Sequence, residues 1–331
     1  MPADRVRRVA FDRTLAASDE RLHLSTNDIA GSTKGFRGTA RSDRSYAVMD
    51  GPRNIWLVCN AASGSNTPAA IEALHDCCGE NGFAVAKVVR FPDDPLPTPG
   101  DLDAAGIEHV VVYAGDGTVN ACVTGLYGWG GAVLVLPGGT MNLLARRLHG
   151  DATVDRILAG VAAGGSRRVR PLVARCRHGD ALAGLLAGPG TAWYAVREAM
   201  REANVAGMIG GASQAIAETT GGAMLHCRQP DLGRDAGYPL IEITPGEWGM
   251  QFNGYFAESA GDYFSQGWAL LRRRFREGPH DRLGLLDHAT LGGDEGAAIG
   301  LLIDGEPAEG GLSEEIEVAP CEVDLIATGY A

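Results

Sequence analysis

The sequence predicts an α/β protein in two parts: a doubly wound parallel sheet first, then a mostly antiparallel, β-rich second half. Three observations carry this. Up to about residue 168, short and continuously apolar runs alternate with segments of helical spacing, the pattern of parallel strands buried on both faces. Three of those runs end in turns rich in Gly, Ser, Thr and Asn. Beyond Arg170, helices become rare and short strands succeed one another with turn residues between them.

Residues 54–59 (NIWLVC) read as the first strand, closed by the turn at Asn60, and residues 67–79 take helical spacing at Ile71, Leu74 and Cys78. Residues 83–89 form the second strand, followed by a Pro/Asp loop through Gly100. Residues 109–113 (HVVVY) and 132–136 (AVLVL) are the third and fourth, the latter leading to a helix over 141–148. In the second half, residues 171–177, 182–187, 223–228, 238–244, 250–256, 298–303 and 315–318 are strand candidates. Helices are expected only over 193–204 and 268–275.

The domain plan is thus a basic arm over 1–53, an α/β domain over 54–168 and a β-rich domain over 169–331. The arm holds ten bases against seven acids and has little hydrophobic period. It reads as mobile or as a peripheral strand pair, and a solvated tail is a plainer role for it than contact with anionic lipid.

Composition excludes several classes. The 331 residues are 45% hydrophobic and 21% charged, which is globular. A net charge of −12 opposes binding to nucleic acid. Seven unevenly spaced cysteines read as thiols of a reducing cytoplasm. The uncharged stretch 181–196 is shorter than the roughly 18–20 apolar residues of a spanning helix, and the N-terminus has no secretory apolar region. Only Lys34 and Lys87 are lysines among 29 basic residues, and neither sits in a glycine-rich turn, so P-loop chemistry is out. No zinc motif or Gly-x-Ser-x-Gly elbow occurs, and His226, His280 and His288 are scattered. Arg272–Arg274, ending the helix expected over 268–275, suit a helix C-terminus better than a membrane contact.

In an open parallel sheet, ligands bind at the carboxyl ends of the strands. Three turns share that edge. Asn60-Ala-Ala-Ser63-Gly64 and Gly115-Asp116-Gly117-Thr118-Val119-Asn120 offer backbone N–H groups and small polar side chains. Pro137-Gly138-Gly139-Thr140-Met141-Asn142 leads to a helix N-terminus, which favours an anion. Asp116 beside phosphates needs an intervening Mg²⁺, or else it accepts a proton.

These three segments, together with Leu302-Ile303-Asp304-Gly305-Glu306-Pro307, resemble in order the motifs of the diacylglycerol kinase catalytic domain family, which includes bacterial soluble lipid kinases, sphingosine kinases and ceramide kinases. The resemblance spans about residues 54–326. It implies an ATP- and Mg²⁺-dependent kinase that phosphorylates a primary hydroxyl of diacylglycerol, ceramide or a sphingoid base. Nucleotide would lie in the first domain and lipid in a second-domain β-sandwich, with the active site in the cleft between them. Asn60, Ser63, Gly64, Gly115, Asp116, Gly117, Thr118, Asn120, Gly138, Thr140 and Asn142 would bind the cofactor. Glu306 would be the base, with Asp304 beside it and Asp116 either a competing base or a Mg²⁺ ligand. Alone, Asp304-Gly305-Glu306 would read as a solvated hairpin turn.

The expected partners of this cytoplasmic protein are the lipid, the inner face of the membrane in transient contact, and a second copy of the chain in a homodimer; nucleic acid is not among them. Ala114 stands where the family has glycine, Ala121 where it often has an acid, and Leu143-Leu144 where bacterial members have Asp-Phe. Asp262 is the nearest match to the family's second metal site. Two alternatives are a soluble metabolite kinase of the NAD kinase kind and an inactive nucleotide- or lipid-binding module.

Overall fold

The computed structural model describes residues 53–60, 67–192, 222–256 and 280–329. Ser63, Gly64, Asp262, Arg272–Arg274, both helices expected in the second half, and the arm up to residue 52 lie outside the described residues.

The chain begins β1 (Arg53–Asn60), α1 (Pro68–Glu80), β2 (Phe83–Phe91), α2 (Pro99–Ala104), β3 (His109–Ala114), α3 (Asp116–Gly125), β4 (Ala132–Pro137), α4 (Leu143–His149), α5 (Val154–Ala162) and β5 (Arg167–Val169). The four expected strands are all present. Three helices are additional. The expected Pro/Asp loop ends in α2, started by a reciprocal capping box between Thr98 and Asp101. The Asp-Gly-Thr turn is itself the first turn of α3, so its glycines disguised a helix. In α5, Ile157, Leu158 and Val161 are buried on one face.

There follow β6 (Leu172–Cys176), β7 (Gly179–Ala181), β8 (Leu185–Ala187), β9 (Leu225–Gln229), β10 (Leu240–Pro245), β11 (Met250–Tyr255), β12 (His280–Leu286), β13 (His288–Gly293), β14 (Gly300–Ile303), β15 (Glu306–Glu309), β16 (Ser313–Pro320) and β17 (Asp324–Ala327). All seven expected strands appear, with boundaries shifted by a few residues. Those not foreseen include β12 and β13, whose His and Gly residues mask the alternation, and β15, an exposed edge strand that tolerates Pro307.

The first sheet runs β2-β1-β3-β4-β17-β5, parallel except for β5. The expected boundary at 168/169 falls inside β5, and the chain's last strand returns to this sheet beside β4. A strand-to-strand return of this kind is non-local and leaves no mark in the sequence. The second half makes two antiparallel sheets, β12-β11-β10-β8-β14-β15 and β7-β6-β16-β13-β9.

Side-chain alternation builds three cores. From β1, Ile55, Leu57 and Cys59 pack with Leu74 and Cys78 of α1 and with Ile157 and Leu158 of α5. Val58, Val110 and Val112 pack on the other face with Val119 and Val123 of α3 and Leu144 and Leu148 of α4. Helices on both faces account for strands that are apolar throughout. The two antiparallel sheets share a third core, in which Leu185, Ile241, Phe252 and Leu301 meet Ala174, Cys227, Leu291 and Ile316. All seven cysteines are free thiols. Among the described residues, no helix is long and apolar enough to cross a membrane.

Candidate active site

Parallel pairing brings the carboxyl ends of β1, β3 and β4 side by side: Cys59 is opposite Tyr113, and Ala114 opposite Pro137. The second and third glycine-rich turns therefore leave one edge of the sheet, where β1 also ends at Asn60; the rest of the first turn lies outside the described residues. A Cβ on Gly138 would lie 2.5 Å from the Ala114 nitrogen, and one on Gly139 would overlap the Cα of Gly115. The second and third turns are thus packed backbone to backbone, which only glycine permits.

Several polar residues of the turns hold the protein itself together. Asn60 Nδ2 donates to Thr118 Oγ1 at 2.8 Å, joining the first turn to α3. Asn142 sits in the left-handed region, φ 52°; its Oδ1 accepts from the Gly139 N–H at 2.7 Å and its Nδ2 donates to the Gly139 carbonyl at 3.0 Å. That side chain closes the third turn. Thr140 is exposed beside it.

The start of α4, where the sequence suggests an anion, faces the carboxylate of Asp116. Its Oδ1 lies 3.4 Å from the Leu144 N–H. Burial, then the nearby Asp304 charge, pushes Asp116 up to about 6, against the pull of the N–H groups of Leu144, Leu143 and Asn142. Helix α3 starts directly after β3, with Gly115, which has no side chain to cap with, at its N-cap, so its first-turn N–H groups point back toward the same edge.

The late motif reaches this edge from the far end of the chain. Asp304 (φ 49°) and Gly305 (φ 92°) form a two-residue hairpin turn between β14 and β15, the type I′ geometry favoured by Asp-Gly. It is not solvated as a lone turn would be. Asp304 Oδ1 accepts from the N–H groups of Ala183 (2.9 Å) and Gly184 (2.8 Å), and Oδ2 from Leu182 N–H (2.8 Å) and Asn120 Nδ2 (2.7 Å). Burial raises its pKa, opposed by those donors. Glu306 is exposed, and its carboxylate packs so closely on Gly117 that a Cβ there would overlap it.

A cleft of ≈ 480 Å³ opens here, walled by one face of α3 (Gly117, Asn120, Ala121, Thr124), by the β6–β7 hairpin and by Glu306. Arg175 forms a bidentate pair with the buried Asp180 at 2.7–2.8 Å, also bonds Glu322, and Tyr127 donates to Asp180 at 2.7 Å. The sequence does not single out Arg147. From α4 it donates to the carbonyls of Leu172 (2.8 Å), Leu182 (3.1 Å) and Gly246 (3.2 Å). Nothing local signals such a residue, because its acceptors are backbone atoms of three distant segments.

Residues 54–174 match the family model of the diacylglycerol kinase catalytic domain. This agrees with the resemblance drawn from the three turns; Asp304–Glu306 lie beyond the matched segment. Three solved structures from Bacillus anthracis str. Sterne, one described as a diacylglycerol kinase and two as a candidate one, share the fold. They are 13–14% identical with TM-scores of 0.51–0.52, and the alignments cover 84% of this chain and 97–98% of theirs. No curated protein matches the sequence.

Among the described residues, no three His, Cys, Asp or Glu side chains gather as a metal cage. Magnesium carried by a nucleotide needs only one or two protein carboxylates. Asp116 fits that requirement; Asp304, whose oxygens are filled, does not.

Proposed function

We propose that this protein is an ATP- and Mg²⁺-dependent lipid kinase that phosphorylates a primary hydroxyl of diacylglycerol, ceramide or a sphingoid base. One observation carries the reading: Glu306, from a hairpin late in the chain, packs on Gly117 of the second glycine-rich turn. A carboxylate beside a phosphate-type turn suits transfer to a hydroxyl, a reaction that asks mainly for positioning, charge neutralisation and a base.

When bound, Mg²⁺·ATP would supply the γ-phosphoryl group and neutralise its charge. Asp116 would hold the metal, and the backbone N–H groups at the start of α3, Gly115–Thr118, would face the phosphates. Glu306 would orient the acceptor hydroxyl and take its proton. The parallel sheet would be the nucleotide side and the antiparallel sheets the lipid side, in a cytoplasmic protein that meets the inner membrane face transiently.

The test is transfer from labelled ATP with Mg²⁺ to diacylglycerol, ceramide and sphingosine in separate micelles, with NAD as a soluble control. Label in one lipid is expected. Label in NAD alone would make this a metabolite kinase, and ATP binding without transfer to any acceptor would favour an inactive module.

A further inference from the structure

We infer that Asp304 is a positioning residue and not a proton acceptor: it fastens the strap of residues 180–184 to helix α3 and so sets Glu306 over Gly117. The assignment rests on the kinase reading above. A carboxylate offers about four lone-pair sites, and Asp304 uses all of them on protein donors: the N–H groups of residues 182, 183 and 184 and the amide of Asn120. A substrate proton could reach it only by displacing a donor, which would then be left buried and unpaired. Glu306 has the opposite character. It is exposed in the cleft, and its carboxylate makes no hydrogen bond or ion pair with another described residue.

The strap is where the pieces of the site meet. Asn120 on α3 also donates to the Asp180 carbonyl at 2.7 Å, and Arg147 on α4 holds the Leu182 carbonyl. The Asp304 N–H in turn donates to the Gly184 carbonyl at 2.9 Å, so turn and strap are paired in both directions. Helices α3 and α4 begin at the second and third turns, and β15 begins with Glu306. Five residues of strap therefore fix the base candidate relative to the phosphate turns, across a separation of 184 positions between Asn120 and Asp304.

The experiment combines hydrogen–deuterium exchange of the 182–184 amides with pH–rate profiles of phosphoryl transfer, for wild type, Asp304→Asn, Asn120→Ala and Glu306→Gln. An asparagine turns an N–H₂ toward N–H donors. Asp304→Asn should therefore speed exchange of the strap at least tenfold and lower turnover about 10–100-fold, leaving the nucleotide KM within about twofold and the acid limb of the profile in place. Asn120→Ala, a milder change that keeps the fold if Asp304→Asn does not, should move both readouts the same way by less. Glu306→Gln should leave exchange unchanged, cut turnover by about 10²–10⁴ and remove the Glu306 share of the acid limb, leaving that of Asp116. Loss of that limb in Asp304→Asn would make Asp304 the base and overturn the inference, as would unchanged exchange in both clasp variants. If the wild type transfers phosphate to no lipid, the kinase reading falls, while the exchange arm still decides whether Asp304 holds the strap.

Discussion

Asp116 carries two demands that pull apart. Its carboxylate is buried beside Asp304, which raises its pKa from 3.8 to about 6. The fold therefore binds this proton more tightly than the unfolded chain, and the group's contribution to stability falls as pH rises from about 4 to 6. Above that window the cost of keeping the charge is on the order of 2–3 kcal/mol. Asp116→Asn removes the charge and keeps an oxygen for the Leu144 N–H. It should raise Tm at pH 8 by a few degrees, with the gain vanishing near pH 4, while phosphoryl transfer collapses. Thermal melts across that range check it; an unchanged or lower Tm at pH 8 would show that the charge is not destabilising.

At the scale of elements, the second and third turns act as one unit because β3 and β4 are neighbours and their turns touch through glycine. A methyl on Gly138 would meet the backbone of Tyr113 and Ala114 at 2.5–2.6 Å, and backbone cannot rotate away as a side chain can. Gly138→Ala should thus cost about 1–3 kcal/mol and weaken nucleotide binding by spreading β3 from β4. Urea unfolding with parallel nucleotide titration tests this, and wild-type values in both would mean that the turns are not in contact. The neighbouring Ala114, where the family has glycine, is itself buried in the core under α3 and α4, so its methyl is accommodated.

Over the whole molecule, buried histidines set the acid limit. His109 on β3 and His149 on α4 are each depressed to about 4, chiefly by burial, with Arg168 and Arg53 adding to the effect at His109. The folded state keeps both neutral while the unfolded chain protonates near 6.5. Stability should therefore rise with pH between about 4 and 6.5, and be lost as pH falls through that window. At pH 5 the loss is on the order of 2 kcal/mol for each histidine, which outweighs the opposite slope from Asp116. His149→Asn keeps an acceptor for the Thr328 hydroxyl, 2.9 Å away, and should flatten the fall. Equilibrium unfolding at pH 5 and 7.5 measures it; equal wild-type midpoints would exclude a role for these histidines.

What the sequence determined by itself was local. Apolar runs such as HVVVY and AVLVL, short and bounded by turn residues, read as doubly buried strands. The Asp304-Gly305 pair marks a tight hairpin between β14 and β15, whereas the Asp116-Gly117 pair opens α3. Those patterns fix the parallel sheet, the strand-rich second half and the second and third turns on one edge. What only the tertiary structure decided was non-local: the return of β17 to the first sheet, the clasp of Asp304 on residues 182–184, Arg147 across three segments, and Glu306 over Gly117. Each joins residues far apart in the chain through strand pairing, hydrogen bonds or close contacts. Such contacts depend on where whole elements come to rest, which no periodicity or short motif encodes.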